Sequence, residues 1–377
     1  MLWFDLVTPK SVMFFKEIIK GIQKRGKDVF ITTRKSEAYS EVAELLDLYN
    51  IEYVAIGGFG GESLNGKYQA SLDRQYSLFK LIARLKPEKL VCLCSVDANR
   101  LAFGLGIPII NFYDIPLSDY RSDFRKALPQ ARLTIPLSKL VFRPFVVPEE
   151  IFCRFSLEAD QVAAYNFLDP VIWLKDFKPK KDEVKRLLKN LGAKNSKPLI
   201  VVREEEYKAS YVQQKIPVLY DALPKIHEQT GANIVIIPRY ESSYLVDQFP
   251  FAYVLPEKMV IQHLLAHSNL FIGGGGTINI EATYFGTPTI STRSFVSHYD
   301  QFLIEKGLMK WVDNEEELIK SACEMIHESN KLRAAAIYKQ QNVNVDAIVN
   351  RILEGTLPVH GIYHEKSTDQ YLHTDVQ

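Results

Sequence analysis

The stretch Asn269-Leu-Phe-Ile-Gly-Gly-Gly-Gly-Thr-Ile-Asn-Ile-Glu-Ala-Thr-Tyr-Phe-Gly-Thr-Pro-Thr-Ile-Ser291 decides how this chain folds. Its apolar residues Leu270–Ile272 predict a buried strand. Residues Thr277–Phe285 predict a helix, which the following Gly-x-Pro terminates. The four glycines Gly273–Gly276 stand between them and allow a sharp turn. We therefore expect one strand–turn–helix unit of a parallel sheet.

The glycine turn also predicts an anion site, because unpaired N–H groups and the helix dipole both favour negative charge. We predict that Gly274, Gly275, Gly276 and Thr277 contact a diphosphate. Glu281 lies one helical turn further on, where it can accept hydrogen bonds from a ribose. A turn needed only for tight strand–helix packing is the alternative, although four glycines exceed what packing requires. The turn has neither the G-x-G-x-x-G spacing nor the Gly-Lys-Ser/Thr of a P-loop.

This segment resembles the donor-site segment of GT-B glycosyltransferases, particularly the one that adds N-acetylglucosamine to the lipid-linked peptidoglycan precursor. It is similar also to the corresponding segment of UDP-N-acetylglucosamine 2-epimerases. Over its whole length the chain resembles a GT-B-like family catalogued as a domain of unknown function. The residues that carry this resemblance are Trp3–Lys10, Ala102–Pro108, Gly275–Thr277 with Glu281, Gly286–Pro288 and Leu303–Leu308.

Length and composition agree with a soluble α/β protein. A chain of 377 residues suits two domains, and 47% hydrophobic with 24% charged residues is typical of globular proteins. The net charge of +1 gives no bulk attraction to nucleic acid or anionic lipid. No apolar run approaches the length of a bilayer span, and the N-terminus lacks the features of a signal peptide. The four cysteines show no disulfide or zinc spacing, so we expect a cytoplasmic protein.

Strands alternate with helices, which predicts two Rossmann-like parallel-sheet domains, and the GT-B resemblance implies that they face a central cleft. The strands are expected at Met1–Val7, Asp28–Ile31, Ile51–Ile56, Lys89–Cys94, Ile107–Phe112, Leu199–Val202, Ile234–Ile237, Leu270–Ile272 and Thr289–Ser291. We place an acceptor-side domain at residues 1–165 and a nucleotide-sugar domain at residues 166–340. A helix at residues 341–355 is expected to cross back to the first domain, and residues 356–377 to form a mobile tail.

Ligands of open parallel sheets bind beyond the carboxyl ends of the strands. Arg203 and Arg239 follow two predicted strands of the second domain and reach the same edge as the glycine turn. Guanidinium groups bind phosphate oxygens in pairs, so we predict that both arginines contact the diphosphate. In the lipid-precursor glycosyltransferase a similar loop meets the donor sugar. With that resemblance, the predicted ribose and sugar contacts are Asn279, Glu281, His298, Asp300 and Gln301.

Glycosyl transfer also requires a base for the acceptor hydroxyl. Relatives often carry a histidine in the loop after the first strand, and Ser11 stands at that place here. Asp97 and Asp114 follow two other strands and are the alternative catalytic groups, with Lys10 and Arg34 as acceptor-side contacts. No Asp-x-Asp occurs, so we predict no metal, and the amides and arginines would stabilise the leaving diphosphate.

Residues 115–150 interleave basic and apolar side chains. A face of this kind can meet a membrane surface or a lipid-phosphate acceptor. The alternative is a solvated face that covers the first domain. The residues are Arg121, Arg125, Lys126, Arg132, Lys139 and Arg143 with Phe124, Leu128, Leu133, Leu140 and Phe142.

Three functions remain open. The first is a glycosyltransferase that needs no metal or cofactor and moves a sugar from a nucleotide sugar, UDP-linked by resemblance, to a lipid-linked or glycan acceptor. The second is a sugar-nucleotide 2-epimerase. Those enzymes carry Gly-Thr-Arg-Pro-Glu after the first strand, where this chain has Val7-Thr-Pro-Lys-Ser11. The third is a non-catalytic nucleotide-sugar binder. A lipid-linked acceptor would place the protein at the inner face of the membrane, and no nucleic-acid partner is expected.

Overall fold

The computed structural model describes residues 1–37, 39–61, 63–194, 196–203, 218–238, 243–255 and 259–354. The strands in these residues are β1 Leu2–Asp5, β2 Val29–Thr33, β3 Val54–Ala55, β4 Lys89–Leu93, β5 Ile109–Phe112, β6 Leu140–Pro144, β7 Val162–Tyr165, β8 Leu199–Arg203, β9 Asn233–Ile237, β10 Ala252–Val254, β11 Leu270–Gly273, β12 Thr289–Ser291 and β13 Met309–Trp311. The α-helices are α1 Pro9–Gln23, α2 Glu41–Leu48, α3 Leu64–Leu85, α4 Val96–Gly104, α5 Pro129–Thr134, α6 Glu149–Cys153, α7 Val171–Leu174, α8 Lys181–Asn190, α9 Val218–Thr230, α10 Ser243–Gln248, α11 Ile261–His267, α12 Gly276–Tyr284, α13 His298–Glu305, α14 Glu315–Met325, α15 Lys331–Lys339 and α16 Val345–Leu353.

The strands form two parallel sheets, which confirms the prediction of two Rossmann-like domains. The first sheet has the order β3-β2-β1-β4-β5-β6-β7 and the second has the order β10-β9-β8-β11-β12-β13. Central strands such as β4 and β9 are buried along their whole length, as expected for sheets covered by helices on both faces. In each sheet the chain adds strands on one side of the first strand and then continues on its other side. This change of direction lies between β1 and β4 in the first sheet and between β8 and β11 in the second. Such a reversal opens a crevice for ligands.

The sequence prediction missed four strands, namely β6, β7, β10 and β13. Strand β6 lies within the segment 115–150, and its Leu140 and Phe142 are buried in the core of the first domain. Leu128 is buried as well, whereas Leu133 is half exposed. Most of the apolar residues of this segment therefore pack inward, so it presents no continuous basic–apolar surface. The charged residue Arg143 interrupts the apolar pattern of this strand.

Helix α12 is the centre of the second domain. Its residues Ile278–Thr283 are all buried, because the helix packs against α11, α13 and α15 as well as the sheet. Gly286 ends the helix with a positive φ of 73°. A Cβ added at Gly286 would lie 2.5 Å from the Cα of Lys331, so both the backbone conformation and the close packing of α15 require glycine.

The chain returns to the first domain at its end. Two helices, α15 and α16, separated by residues 340–344, occupy the region in which helical structure was predicted over Lys331–Leu353. Helix α16 packs against α1, and the Nζ of Lys89 donates to the carbonyl oxygens of Ile352 (2.8 Å) and Glu354 (2.7 Å). The predicted tail at 356–377 lies outside the described residues. In the parts of the chain that the structure describes, no helix has the length and apolarity to span a bilayer.

Candidate functional site

The glycine turn connects β11 to α12 at the carboxyl edge of the second sheet. Gly275 is the N-cap residue, and the N–H of Gly274 donates to the carbonyl oxygen of Arg203 at 3.0 Å. Gly274 therefore offers no amide to a ligand, and the prediction of four open amides is wrong in this respect. Within the described residues, the N–H groups of Gly275, Gly276 and Thr277 have no hydrogen-bond acceptor. They are half-buried, as an anion site at a helix N-terminus requires.

Two of the glycines lie close to neighbouring side chains. A Cβ at Gly273 would lie 2.6 Å from the ring of Phe271 and 2.8 Å from the Oδ1 of Asn279. A Cβ at Gly276 would lie 3.0 Å from Nη1 of Arg293. The packing explanation of the glycines is thus correct for Gly273, while Gly276 makes room for a guanidinium group beside the open amides.

Arg293, which the sequence analysis missed, lies against this turn. Its side chain is only 4% exposed, its Nη1 contacts the Oδ2 of Asp300 at 3.1 Å, and its guanidinium lies 3.9 Å from the ring centroid of Phe295. The indole Nε1 of Trp311 donates to its carbonyl oxygen at 2.8 Å. The signal was present, because Arg293 follows strand β12 at the same sheet edge.

Asp300 is not placed as a direct sugar contact. Its Oδ2 accepts hydrogen bonds from the backbone N–H (2.8 Å) and hydroxyl (2.6 Å) of Ser297, and it also pairs with Arg293. The first of these bonds and the bond from the Asp300 N–H to the Ser297 Oγ (3.4 Å) form the capping box of α13. The carboxylate is buried. Asp300 therefore holds the helix terminus and the guanidinium in place, and this position corrects its assignment as a sugar-reading residue.

His298 and Gln301, which belong to α13 as Asp300 does, reach the space between the domains. The Nε2 of His298 lies 3.3 Å from the Oγ of Ser122 in the first domain. Burial lowers the pKa of His298, and the negative charge of Asp119 offsets only part of this effect. The side chain of Gln301 donates to Glu305 at 2.8 Å and lines the cavity between the domains.

Glu281 lies under the turn, in contact with the segment that links the two domains. Its Oε1 accepts hydrogen bonds from the indole of Trp173 (2.8 Å) and from Gln262 (3.0 Å). Burial raises the pKa of Glu281. The two hydrogen bonds and the positive charge of Arg203 act in the opposite direction but do not outweigh burial. Asn279 is fully buried, and its amide nitrogen donates to the Gly273 carbonyl at 3.2 Å. Asn279 supports the turn from below, so its assignment as a sugar contact is corrected.

Only one of the two predicted arginines can be placed. Arg203 ends β8, pairs in register with Gly273, and donates from Nη1 to the carbonyl of Pro238 at 3.1 Å. It thus lies at the same sheet edge as the glycine turn. Arg239 lies outside the described residues.

Ser11 is a capping residue and not a catalytic group. It is fully buried at the third position of α1, and its Oγ donates to the carbonyl oxygen of Thr8 at 2.6 Å. The hydroxyl also accepts from the N–H of Thr8, completing a capping box. A hydroxyl engaged in this way cannot approach an acceptor, which corrects the prediction.

Lys10 and Asp114 form an ion pair at the junction of the two domains. The Nζ of Lys10 contacts the Asp114 carboxylate and lies 2.5 Å from the Oδ2 of Asp169. The Oδ1 of Asp169 accepts from the hydroxyls of Tyr165 (2.6 Å) and Tyr299 (2.7 Å), and Tyr299 belongs to the second domain. Burial alone would lower the pKa of Lys10, but the two carboxylates outweigh it and raise that pKa well above its ordinary value. Asp114 remains 15% exposed.

Asp97 is enclosed by a second charge cluster. Its carboxylate pairs with Arg34 (2.6 Å) and Arg74 (3.4 Å), and Arg74 also pairs with the fully buried Asp5 (2.6 Å). The Oγ of Ser71 donates to Asp97 at 2.5 Å. Asp97 is therefore not placed to take a proton from an acceptor. Arg34 is about one-third exposed, and its Nε has no acceptor in the described part of the chain.

The described residues thus combine open amides at a helix N-terminus of the second domain with a charged cluster between the domains. Among them, no group of three or more His, Cys, Asp or Glu side chains is arranged to hold a metal ion.

Comparisons with known proteins agree with this architecture. The profile of the family described as "Protein of unknown function (DUF354)" matches residues 1–356. The chain is 30% identical over 325 residues to Uncharacterized protein MJ0665 of Methanocaldococcus jannaschii, covering 84% of this chain and 89% of that protein.

Solved structures share the fold at low sequence identity. The UDP-GlcNAc 2-epimerase of Neisseria meningitidis, bound to UDP-GlcNAc, has a TM-score of 0.72 and 16% identity, covering 94% of this chain and all of that one. The M. jannaschii UDP-GlcNAc 2-epimerase in complex with UDP-GlcNAc and UDP has a TM-score of 0.70 and 15% identity, covering 94% and 99%. The glycosyltransferase of kitacinnamycin has a TM-score of 0.61 and 13% identity, covering 93% and 97%. The two-domain arrangement is the GT-B fold.

Proposed function

The chain belongs to the DUF354 family of proteins of unknown function, and from this premise we propose that it is a metal-independent glycosyltransferase with a UDP-linked donor. The acceptor would be lipid-linked or a glycan. One observation carries the proposal: the open N–H groups of Gly275, Gly276 and Thr277 lie beside the buried guanidinium of Arg293. Solved structures of the same fold were obtained with UDP-GlcNAc and UDP, which supports a uridine donor.

The anion site would hold the donor diphosphate and stabilise the charge that develops when it leaves. Three amides at a helix N-terminus supply hydrogen bonds and a favourable dipole. Arg293 adds a positive charge that Asp300 and Phe295 already hold in place, so little reorganisation accompanies the reaction.

Glu281 would bind the ribose. Its Oε1 is occupied by Trp173 and Gln262, while no donor contacts its Oε2 in the described ranges. An ionised carboxylate oxygen accepts hydrogen bonds only, which suits the two hydroxyls of a ribose. In this proposal Oε2, one turn into α12, would face the nucleoside side of the diphosphate.

Asp114 is our candidate for the base. Of the three predicted groups, Ser11 is a buried cap and Asp97 is enclosed by arginines, whereas Asp114 retains solvent exposure at the domain junction. The raised pKa of Lys10 keeps its ammonium charged beside this carboxylate. The carboxylate would take the proton of the acceptor hydroxyl as the hydroxyl attacks the donor sugar.

A non-catalytic nucleotide-sugar binder is the second candidate. It is favoured by the ion pair between Asp114 and Lys10, since the ammonium already occupies an oxygen of the carboxylate that would have to meet the acceptor hydroxyl. The two candidates share the anion site and differ only in turnover.

Radiolabelled UDP-sugars incubated with the purified protein and lipid or glycan acceptors test the proposal. We expect labelled product, and the Asp114→Asn variant should retain UDP binding while losing at least about a hundredfold in turnover. UDP binding without any turnover would establish the binder instead. Incorporation of solvent deuterium at C2 of the sugar would indicate a 2-epimerase. If neither UDP nor a UDP-sugar binds, both candidates are wrong.

A further inference from the structure

A cavity of about 530 Å³ lies between the two domains at the carboxyl edge of the second sheet. We call it the interdomain cavity. Its first-domain wall is formed by residues 118–121 and Lys126, and its second-domain wall by residues on both sides of α13, from 294 to 311. The walls are joined where the N–H of Tyr120 donates to the carbonyl oxygen of Val296 at 3.0 Å. This volume is sufficient for a small organic ligand such as a sugar.

The interdomain cavity adjoins the anion site without including it. In the second sheet Gly273 pairs with Ser291, and Ser291 pairs with Trp311, which lines the cavity. Neighbouring strands lie about 4.8 Å apart, so the glycine turn and Trp311 are separated by roughly 10 Å. Arg293 lies between them, with its guanidinium against Gly276 on one side and Phe295, another lining residue, on the other. A molecule in the cavity would thus lie beside a donor bound at the turn.

The lining of the cavity is positively charged. It contains the cations Arg121, Lys126 and Lys310 and the carboxylate of Asp119, which gives a formal charge of +2. Both oxygens of Asp119 accept hydrogen bonds from Arg121, at distances of 2.7 to 3.1 Å. Lys310 is paired with Glu317, which is not part of the lining. The ammonium of Lys126 has no acidic partner in the described ranges, so it is the cation best placed to bind an anion.

Aromatic side chains complete the lining. The indole nitrogen of Trp311 is occupied by the Arg293 carbonyl, so its contribution to the cavity is the apolar ring. Phe295 contributes a second ring. The C–H faces of a pyranose ring pack on aromatic rings, while cations nearby bind an acidic substituent. Together these features select a carbohydrate that carries negative charge.

We propose that the interdomain cavity binds the acceptor, and that this acceptor is an anionic sugar with a phosphate or carboxylate group. The inference rests on the proposed transferase function and specifies its substrate class. In that reaction an acceptor hydroxyl forms a new bond to C1 of the donor sugar. The bond from C1 to the diphosphate oxygen breaks, UDP leaves with the electron pair, and the hydroxyl proton passes to the base of the proposed reaction, for which Asp114, outside the cavity lining, is the candidate.

Tryptophan fluorescence provides the test, because Trp3 and Trp173 are buried and only Trp311 lines the cavity. Glucose 1-phosphate, glucuronate and neutral methyl glucoside are titrated against the wild type. Each titration is repeated with Lys126→Ala and with the control Arg125→Ala, which removes a neighbouring cation outside the cavity. We expect saturable changes with at least one anionic sugar and none with methyl glucoside. Lys126→Ala should weaken that binding about tenfold, as expected for one lost charge-assisted hydrogen bond, while Arg125→Ala should not.

The anion that binds distinguishes the two acidic groups: a response to glucose 1-phosphate alone identifies a phosphorylated acceptor, and one to glucuronate alone a carboxylated acceptor. Equal binding of methyl glucoside, equal losses in Lys126→Ala and Arg125→Ala, or no response to either anion would overturn the inference. UDP binding is measured on the same samples by thermal denaturation. If UDP binds and the anionic sugars do not, only this inference fails. If UDP does not bind, the proposed function fails instead.

Discussion

Replacing Gly275 by aspartate tests the anion site with little cost to the fold. Gly275 is the N-cap of α12, with φ −101° and ψ 129°, values that any residue adopts. An added Cβ meets only the Cγ2 of Ile278, at 3.0 Å, so this methyl group must shift by a few tenths of an ångström. Aspartate is a preferred N-cap and differs from glycine there by only a few tenths of a kcal/mol. We therefore expect Gly275→Asp to leave the free energy of unfolding nearly unchanged.

The same substitution should abolish diphosphate binding. The new carboxylate would take up the amides that the ligand needs, and it would stand beside the ligand's negative charge. Two unit charges at about 4 Å interact with about 4 kcal/mol at an effective dielectric constant near 20, and solvent at this half-buried position reduces that to about 2 kcal/mol. A lost charge-assisted hydrogen bond adds about 1.5–3 kcal/mol. The expected loss of UDP affinity is therefore at least about a hundredfold.

Calorimetric titration with UDP measures this loss, and thermal denaturation supports it. UDP at about a hundred times its Kd should stabilise the wild type by about 2.7 kcal/mol and the variant hardly at all. The matched control is Gly275→Asn, which caps the helix equally well and fills the same space without charge. An asparagine variant that loses as much affinity would indicate that steric bulk or the occupied amides, and not charge repulsion, cause the loss. An aspartate variant whose affinity stays within about twofold of the wild type would refute the anion site.

Three further predictions follow from the surrounding residues. Glu281→Gln should weaken UDP binding about tenfold in calorimetry and leave inorganic pyrophosphate binding unchanged, because pyrophosphate has no ribose. Burial lowers the folded-state pKa of His298, so below its ordinary pKa of about 6.5 the unfolded chain binds the proton first and the wild type loses stability. Between pH 7 and pH 5, a range of about two units that spans this pKa, the urea midpoint of His298→Gln should therefore fall less steeply than that of the wild type. Lys10→Met leaves the carboxylates of Asp114 and Asp169 uncompensated and should lower the free energy of unfolding in urea by about 3–5 kcal/mol. Because the folded-state pKa of Lys10 is raised, this contribution should be fully present up to about pH 10 and decline only above it, and a loss near neutral pH would contradict the assignment.

Local patterns in the chain sufficed to predict the fold class. The run Leu270–Ile272 followed by glycines and a helix predicted the unit β11–α12, which the structure contains at Leu270–Gly273 and Gly276–Tyr284. Such units repeat, and a parallel sheet follows from their order. The short strands β6 and β13 were missed, since their charged residues Arg143 and Lys310 interrupt the apolar pattern.

The candidate site was predicted less completely. The rule that ligands lie beyond strand ends selected Arg203 and the glycine turn correctly as neighbours, yet it was not applied to Arg293 after β12. Ser11 and Asp300 have residue types that suit catalysis or sugar binding, but both belong to capping boxes. Their partners lie only three residues away, so the capping pattern itself was present in the chain.

The amino-acid sequence by itself determined the alternation of strands and helices, the glycine turn and the end of α12 at Gly286, because these depend on backbone preferences and on neighbours within a few residues. Only the tertiary structure decided which charged groups are paired. Lys10 meets Asp169, and Arg74 meets Asp5, across separations of 159 and 69 residues in the chain. Both Asp97 and Asp114 meet a distant cation, but Asp114 keeps 15% of its side chain exposed and Asp97 only 2%, and that difference depends on how sheets and helices pack. The choice of Asp114 over Asp97 therefore rests on packing and not on residue type.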